Sequence, residues 1–144
     1  MLTSFAIATS TTPNASVDGK TEAAASQATI QWYPYEAGLV RAEKLDKKVF
    51  LYFFTDRCFY CKIMDQKTFT DQATIAYVND NFVPIRLNSD QNAALATQYQ
   101  VPGVPISIFM EDDSEMIGAK PGYVPPEDFL KMLQFVDEEL YKKE

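Results

Sequence analysis

Residues 47 to 64 read KKVFLYFFTDRCFYCKIM, and this stretch decides the fold. Its first half, 47–55, is a continuous apolar run rich in aromatics, the pattern of a central strand covered on both faces. CKIMDQKTF follows as a helix. Cys58 and Cys61, the only two cysteines in 144 residues, therefore fall where a buried strand ends and a helix begins. An i, i+3 spacing puts both sulfurs on one helix face, close enough for a disulfide without large backbone movement. Cys58 then lies among the unpaired N–H groups of a helix N-terminus, which stabilise a thiolate and bring such cysteines to pKa values of about 3.5 to 7.5. Three meanings fit the pair. It reads as a redox centre with Cys58 the exposed nucleophile and Cys61 the resolving thiol. It also reads as half a zinc site needing two more ligands, or as a staple across a loop too short to restrain much of the unfolded chain. The strand–helix setting favours redox chemistry.

Composition narrows the field around this site. The chain has no histidine, which excludes Ser-His-Asp and Cys-His catalysis and every histidine-ligated metal site. Net charge is -7 with no basic run, which argues against a nucleic-acid backbone or an anionic lipid surface as partner. No stretch approaches the roughly 20 apolar residues of a membrane span, so no direct membrane insertion is expected. At 47% hydrophobic the chain is the size of one domain with a real core.

Residues 1–29 are dominated by Ser, Thr and Ala and are expected to be a flexible tail or tether. The start, MLTSFAIATSTTPNAS, has no positive region and only a short apolar piece, so it is not a complete secretory signal. Ala6-Ile7-Ala8 resembles the small-residue end of one, although an Ala-rich stretch yields that pattern by chance as well. Residues 30–144 form the globular unit. IQWYPYE opens it as a short aromatic strand or a strand-like lead-in, and EAGLVRAEKLD is a helix with Leu39, Val40 and Leu45 on its buried side. After the cysteine helix, TDQATIAYVNDN continues as helix, with Thr70 or Asp71 as N-cap. FVPIRLN is a strand whose Pro84 points to an edge, a bulge or a late start. DQNAALATQYQ is helical, and VPISIFME and SEMIGAK form a hairpin around EDDS. The last helix follows Pro125-Pro126, with Phe129, Leu133, Val136 and Leu140 as its stripe and Lys142-Lys143 near its end. The order β-α-β-α-β-α-β-β-α implies an α/β domain with a mixed central sheet and helices on both faces. Downstream, Val104-Pro105 enters a strand directly after Pro102-Gly103, a candidate for a cis peptide bond.

Taken together, these motifs resemble the thioredoxin superfamily from about Ile30 to Leu140. The resemblance rests on the Cys-x-x-Cys after an aromatic strand and on Val104-Pro105 at the position of the family's cis-proline. It extends through Asn88, Asp90-Gln91-Asn92, Ala96, Tyr99, Val101 and Gly103 between them, and to Gly122 before the last helix. CKIMDQKTFTD looks more like the extracytoplasmic branch, which includes the C-terminal domain of DsbD-type electron conduits. The resemblance implies reversible dithiol–disulfide exchange with protein thiols and an upstream redox partner, by a monomer needing no cofactor or metal beyond Cys58 and Cys61. It implies a periplasmic or otherwise extracytoplasmic site after removal of a leader or anchor, with the cytoplasm as the alternative. It also implies that Pro105 packs against the sulfurs and that the Val104 backbone offers strand-like hydrogen bonds to a substrate.

Four positions depart from the family pattern: Arg57 replaces the usual Trp, Phe59-Tyr60 the Gly-Pro, Tyr52 the buried Asp, and Ile106 a common Thr. A cation at Arg57 favours the Cys58 thiolate, unless screening by solvent removes its influence. The buried Asp is the family's proton acceptor for the second cysteine. Tyr52, ordinarily titrating near pH 10, is a poor base and reads as core. Phe59 and Tyr60 place an aromatic surface beside Cys58 suited to docking a partner. Asp56 and Lys62 read as solvated charges. Arg57 pushes the centre towards an oxidant, while the branch and the lack of a histidine between the cysteines push it towards a reductant. A binding module whose cysteines are only a structural disulfide is the alternative function.

Overall fold

The computed structural model describes residues 29–143. Of the Ser/Thr/Ala-rich stretch expected as a tail, residues 1–28, with the leader-like segment, lie outside the described residues. Four strands and five helices are present among the described residues, in an α/β arrangement with one mixed sheet. The strands are β1 (Lys48–Phe54), β2 (Phe82–Asn88), β3 (Ile106–Met110) and β4 (Met116–Pro121), in spatial order β2-β1-β3-β4. β1 runs parallel to β2 and antiparallel to β3, and β3 and β4 form the expected hairpin. Pro84 sits in β2, an edge strand, where the missing N–H faces away from β1 at no cost to the ladder.

Alternation along β1 divides its side chains between two cores. Phe50 and Tyr52 point to one face, together with Met64, Phe69, Ile75, Val78, Phe129, Leu133 and Val136. Val49, Leu51 and Phe53 point to the other, with Ala42, Val83, Ile85, Leu87, Ile106, Ile108 and Met110. Helices α2 (Phe59–Lys67), α3 (Gln72–Asn81) and α5 (Pro126–Asp137) cover the first face. Helices α1 (Tyr35–Leu45) and α4 (Ala93–Gln98) cover the second. A strand walled on both sides has to be apolar at every position, which explains the unbroken run in the sequence. Asp71 caps α3: its Oδ2 accepts from the Thr74 N–H at 3.0 Å and from the Thr74 hydroxyl at 2.9 Å.

Two sequence expectations are corrected and a third is narrowed. The lead-in over 30–36 is strand-like and makes a single parallel bridge, with the Tyr33 N–H donating to the Pro84 carbonyl at 2.9 Å. Pro34 comes next and has no N–H to continue a ladder. On α1 the buried residues are Gly38 and Ala42, while Val40 is 54% and Leu45 45% exposed and Leu39 is half-buried. The helix approaches β2 so closely that only small residues fit the seam. Val40 lies about 200° around the helix from Gly38 and faces out. Finally, α5 stops at Asp137, so Leu140, Lys142 and Lys143 belong to a separate 3-10 turn. Glu139 adopts the left-handed region with φ 57°, and its carboxylate accepts from Lys48 Nζ at 3.0 Å, which turns the chain back to the start of β1.

The α1 seam makes a direct prediction. A Cβ on Gly38 would come within 2.6 Å of Ile85 Cγ1 and 3.2 Å of Tyr33 Cβ, and Ile85 is fully buried with no room to swing away. Gly38→Ala gains about 1 kcal/mol of helix propensity but overpacks the seam by roughly 1–3 kcal/mol. Urea unfolding should show a net loss of stability; a gain would mean that α1 sits less tightly on β2.

Candidate active site

The C-terminal end of β1 gathers the site. Phe53 is in register with Leu87 on one side and Ile106 on the other, so the ends of β2 and β3 that meet it bring Asn88 and Pro105 to the same edge of the sheet. The chain leaves β1 through Thr55, Asp56 and Arg57. The Cys58 N–H donates to the Thr55 carbonyl at 3.4 Å, closing a tight turn. The Asn88 side chain donates to Asp56 Oδ1 at 3.3 Å, and the Ser89 N–H donates to the Phe54 carbonyl at 2.9 Å. Asp56, expected as a solvated charge, thus helps fasten the turn to β2.

Cys58 is the N-cap of α2, with extended backbone dihedrals (φ -77°, ψ 111°), and its sulfur accepts the Cys61 N–H at 3.0 Å. This is the capping geometry in which an N-cap side chain satisfies one of the helix's orphan donors, here with sulfur in place of oxygen. The two cysteines are joined as a disulfide, with their Cα atoms 5.2 Å apart. They differ in access. Cys61 is 1% exposed, whereas Cys58 is half-buried and reachable from solvent.

On the far side of the same edge the Val104–Pro105 peptide bond is cis. The Pro105 carbonyl accepts the Gly122 N–H at 2.8 Å, which ties this loop to the turn after β4. Gly122 has φ 92°, a conformation that a side chain disfavours and glycine permits. Pro105 is buried and Val104 is half-buried. Neither backbone group of Val104 is paired with another backbone group among the described residues.

Phe59 and Tyr60 are the most exposed large apolar side chains of the site, at 66% and 58%, and their rings meet edge to face at 5.4 Å. Arg57 and Lys62 are exposed on either side of them. Tyr52 lies in the interior below α2, fully buried, its hydroxyl without a hydrogen-bond partner. Burial pushes the Tyr52 hydroxyl well above the ordinary phenol range; the Asp65 carboxylate adds to the rise and Arg86 opposes it. A phenol so placed releases no proton near neutrality, in keeping with its reading as core.

Sequence reasoning missed one pair. Arg86 of β2 donates from Nη1 to Asp65 Oδ1 at 2.7 Å and from Nη2 to Oδ2 at 2.9 Å, joining the edge strand to α2. The guanidinium lies 4.0 Å from the Phe54 ring centroid, 5.4 Å from Tyr52 and 5.6 Å from Trp32. The signal was a single arginine in the apolar strand FVPIRLN, since a charge on a covered strand face needs a partner. Among the described residues no group of three or more Cys, Asp or Glu gathers that could hold a metal ion, and no helix is long and apolar enough to cross a membrane.

Comparison with known proteins places this arrangement. The thioredoxin-like domain matches residues 35–137. An uncharacterized protein of Caenorhabditis elegans is 30% identical over 115 residues, covering 74% of this chain and 16% of that protein. The curated relatives that the chain matches are far longer, and it spans 14–16% of their length. A thioredoxin from Thermus thermophilus superposes with a TM-score of 0.69 at 29% identity, over 75% of this chain and 87% of that one. The C-terminal domain of Neisseria meningitidis DsbD, in its reduced form, superposes with a TM-score of 0.59 at 25% identity, over 69% and 91%. The thioredoxin-like match spans most of the described residues, and the chain belongs to the thioredoxin-like family.

Proposed function

We propose that this chain is a thiol–disulfide oxidoreductase that exchanges dithiol and disulfide with protein partners through Cys58 and Cys61, running as a reductant outside the cytoplasm. The observation that carries the reading is the asymmetry of the pair. One sulfur is accessible at a helix N-terminus and receives a backbone N–H, while the other is enclosed one turn later.

In the reduced form the Cys58 thiolate attacks one sulfur of a substrate disulfide. That bond breaks, the first substrate thiolate departs and takes a proton, and a Cys58–substrate mixed disulfide forms. Cys61 then loses its proton and attacks the Cys58 sulfur, and the second substrate thiolate leaves and is protonated. Two electrons and two protons have passed to the substrate, and the Cys58–Cys61 disulfide awaits a dithiol partner that restores it. The helix N-terminus and the Cys61 N–H favour the Cys58 thiolate, and Arg57 adds a cation beside it. In this reading Pro105, brought to the same sheet edge as Cys58, packs against the sulfurs, and the unpaired Val104 backbone is available to a substrate segment in the manner of an added strand. Phe59 and Tyr60 give that segment an apolar surface. The likeness to the DsbD C-terminal domain supports the reducing direction and the extracytoplasmic setting, with the cytoplasm as the alternative.

The exposed Phe59–Tyr60 pair also favours a second reading, a binding module in which the disulfide only fastens the site. The two separate in one assay. Cys58→Ser should abolish turnover of insulin or of a glutathione-linked disulfide, and Cys61→Ser should accumulate a mixed disulfide that dithiothreitol releases. Full turnover by Cys58→Ser would overturn the enzymatic reading. Tyr52→Phe removes a buried hydroxyl that has no partner, so it should raise stability by about 1 kcal/mol and leave the pH profile of exchange unchanged. A loss of stability, or a displaced profile, would show that the hydroxyl serves the site.

A further inference from the structure

Asp65 follows Cys61 by four residues on α2, about 6 Å along the helix axis. Helical side chains tilt towards the N-terminus, so a carboxylate at this position lies over the turn that carries Cys61. It is the only acidic residue on that helix. Cys61, Met64 and Thr68 mark the buried face, and Asp65 stands at its margin, half-buried. An uncompensated carboxylate one turn from Cys61 disfavours a thiolate on either cysteine, because like charges repel, here with partial screening since the Asp65 side chain is 39% exposed.

Arg86 supplies the compensation, and three features hold it in place. Its two hydrogen bonds to Asp65 are parallel and short, the fork geometry that arginine alone offers a carboxylate. Its guanidinium lies over Phe54 and against Tyr52 and Trp32, so the cation is sheltered by three ring faces. Its strand position is in register with Tyr52 on β1, and its bonds to Asp65 tie it to α2. Both charges act on the Tyr52 hydroxyl with opposite sign, Asp65 raising its pKa and Arg86 lowering it.

We propose that Arg86 is a positioning residue of the thiol–disulfide centre: caged by Trp32, Tyr52 and Phe54, it neutralises Asp65 beside Cys61 and thereby sets how readily the Cys58–Cys61 disulfide is reduced. The inference rests on the exchange reaction proposed above and adds a residue outside the Cys-x-x-Cys motif to it.

The test is the equilibrium of the full chain with a glutathione redox buffer in Arg86→Met, Asp65→Asn and the double variant. Arg86→Met leaves the Asp65 charge exposed to the cysteines, raises the free energy of the reduced form, and makes the disulfide about tenfold harder to reduce, or about 30 mV more negative. Asp65→Asn leaves the arginine and its cage intact and shifts the equilibrium the other way. The double variant carries neither charge and returns to within about twofold of the parent. A clamp that is only structural would lower unfolding midpoints without this reversal of sign and without the rescue. The proposal is overturned if Asp65→Asn moves the equilibrium less than twofold or towards harder reduction, a result that needs no folded Arg86→Met protein. It is equally overturned if the double variant stays as displaced as Arg86→Met. Loss of exchange in Cys58→Ser, measured alongside, keeps the two claims apart: if it holds while these shifts are absent, only the role of Arg86 falls.

Discussion

Burial of β1 between two cores is the constraint from which the site follows. Phe50, Leu51, Tyr52 and Phe53 are fully enclosed, each worth about 1.5–3 kcal/mol of apolar burial. The strand is bonded to β2 on one side and β3 on the other, so it cannot slip by one residue without exchanging its two faces. Its end is therefore fixed, and so is the turn through Asp56 that delivers Cys58 to the first turn of α2. The same register brings Asn88 and Pro105 to that edge. A reactive pair placed on a loop would need its own scaffolding, whereas here the sheet supplies it.

Charge is then distributed around a centre that has no histidine to work with. The chain carries a net charge of -7, yet Arg57 and Lys62 flank the Cys-x-x-Cys motif and Arg86 is fastened to the helix that carries it. The acidic neighbours are occupied: Asp56 accepts from Asn88, and Asp65 is held in two hydrogen bonds by Arg86. In the exchange reaction proposed above, Tyr52 offers no base near neutrality, so stabilisation of a Cys58 thiolate is assigned to the helix N-terminus and to the cations of Arg57 and Arg86.

Much of this was legible in the sequence, for identifiable reasons. The unbroken apolar run of β1 and the hairpin of β3 and β4 are local patterns that appear where the pattern placed them, and the period of α5 holds from Phe129 to Val136. The α1 face was misread because its seam is made of Gly38 and Ala42. Hydrophobic periodicity weighs large side chains and overlooks a contact made by close approach of small ones. The lead-in at Tyr33 looked like a strand because its aromatic composition suits one, but Pro34 ends the pairing after a single bridge. The Arg86–Asp65 pair was hidden by separation. Arg86 announced itself as a charge within an apolar strand, but nothing local connects it to a carboxylate 21 residues earlier. Asp56 is exposed, as its reading as a solvated charge implied, and its added contact with Asn88 on another strand had no local signal.

The account's central claim is that Cys58 and Cys61 cycle between dithiol and disulfide and do not simply staple a loop. Its most direct test is the reduction potential of the pair, measured by equilibration of the purified chain with redox buffers of known poise. A catalytic centre built as described should fall between about -270 and -120 mV, within reach of cellular dithiol partners. A value below about -300 mV, the range of structural disulfides, would contradict it.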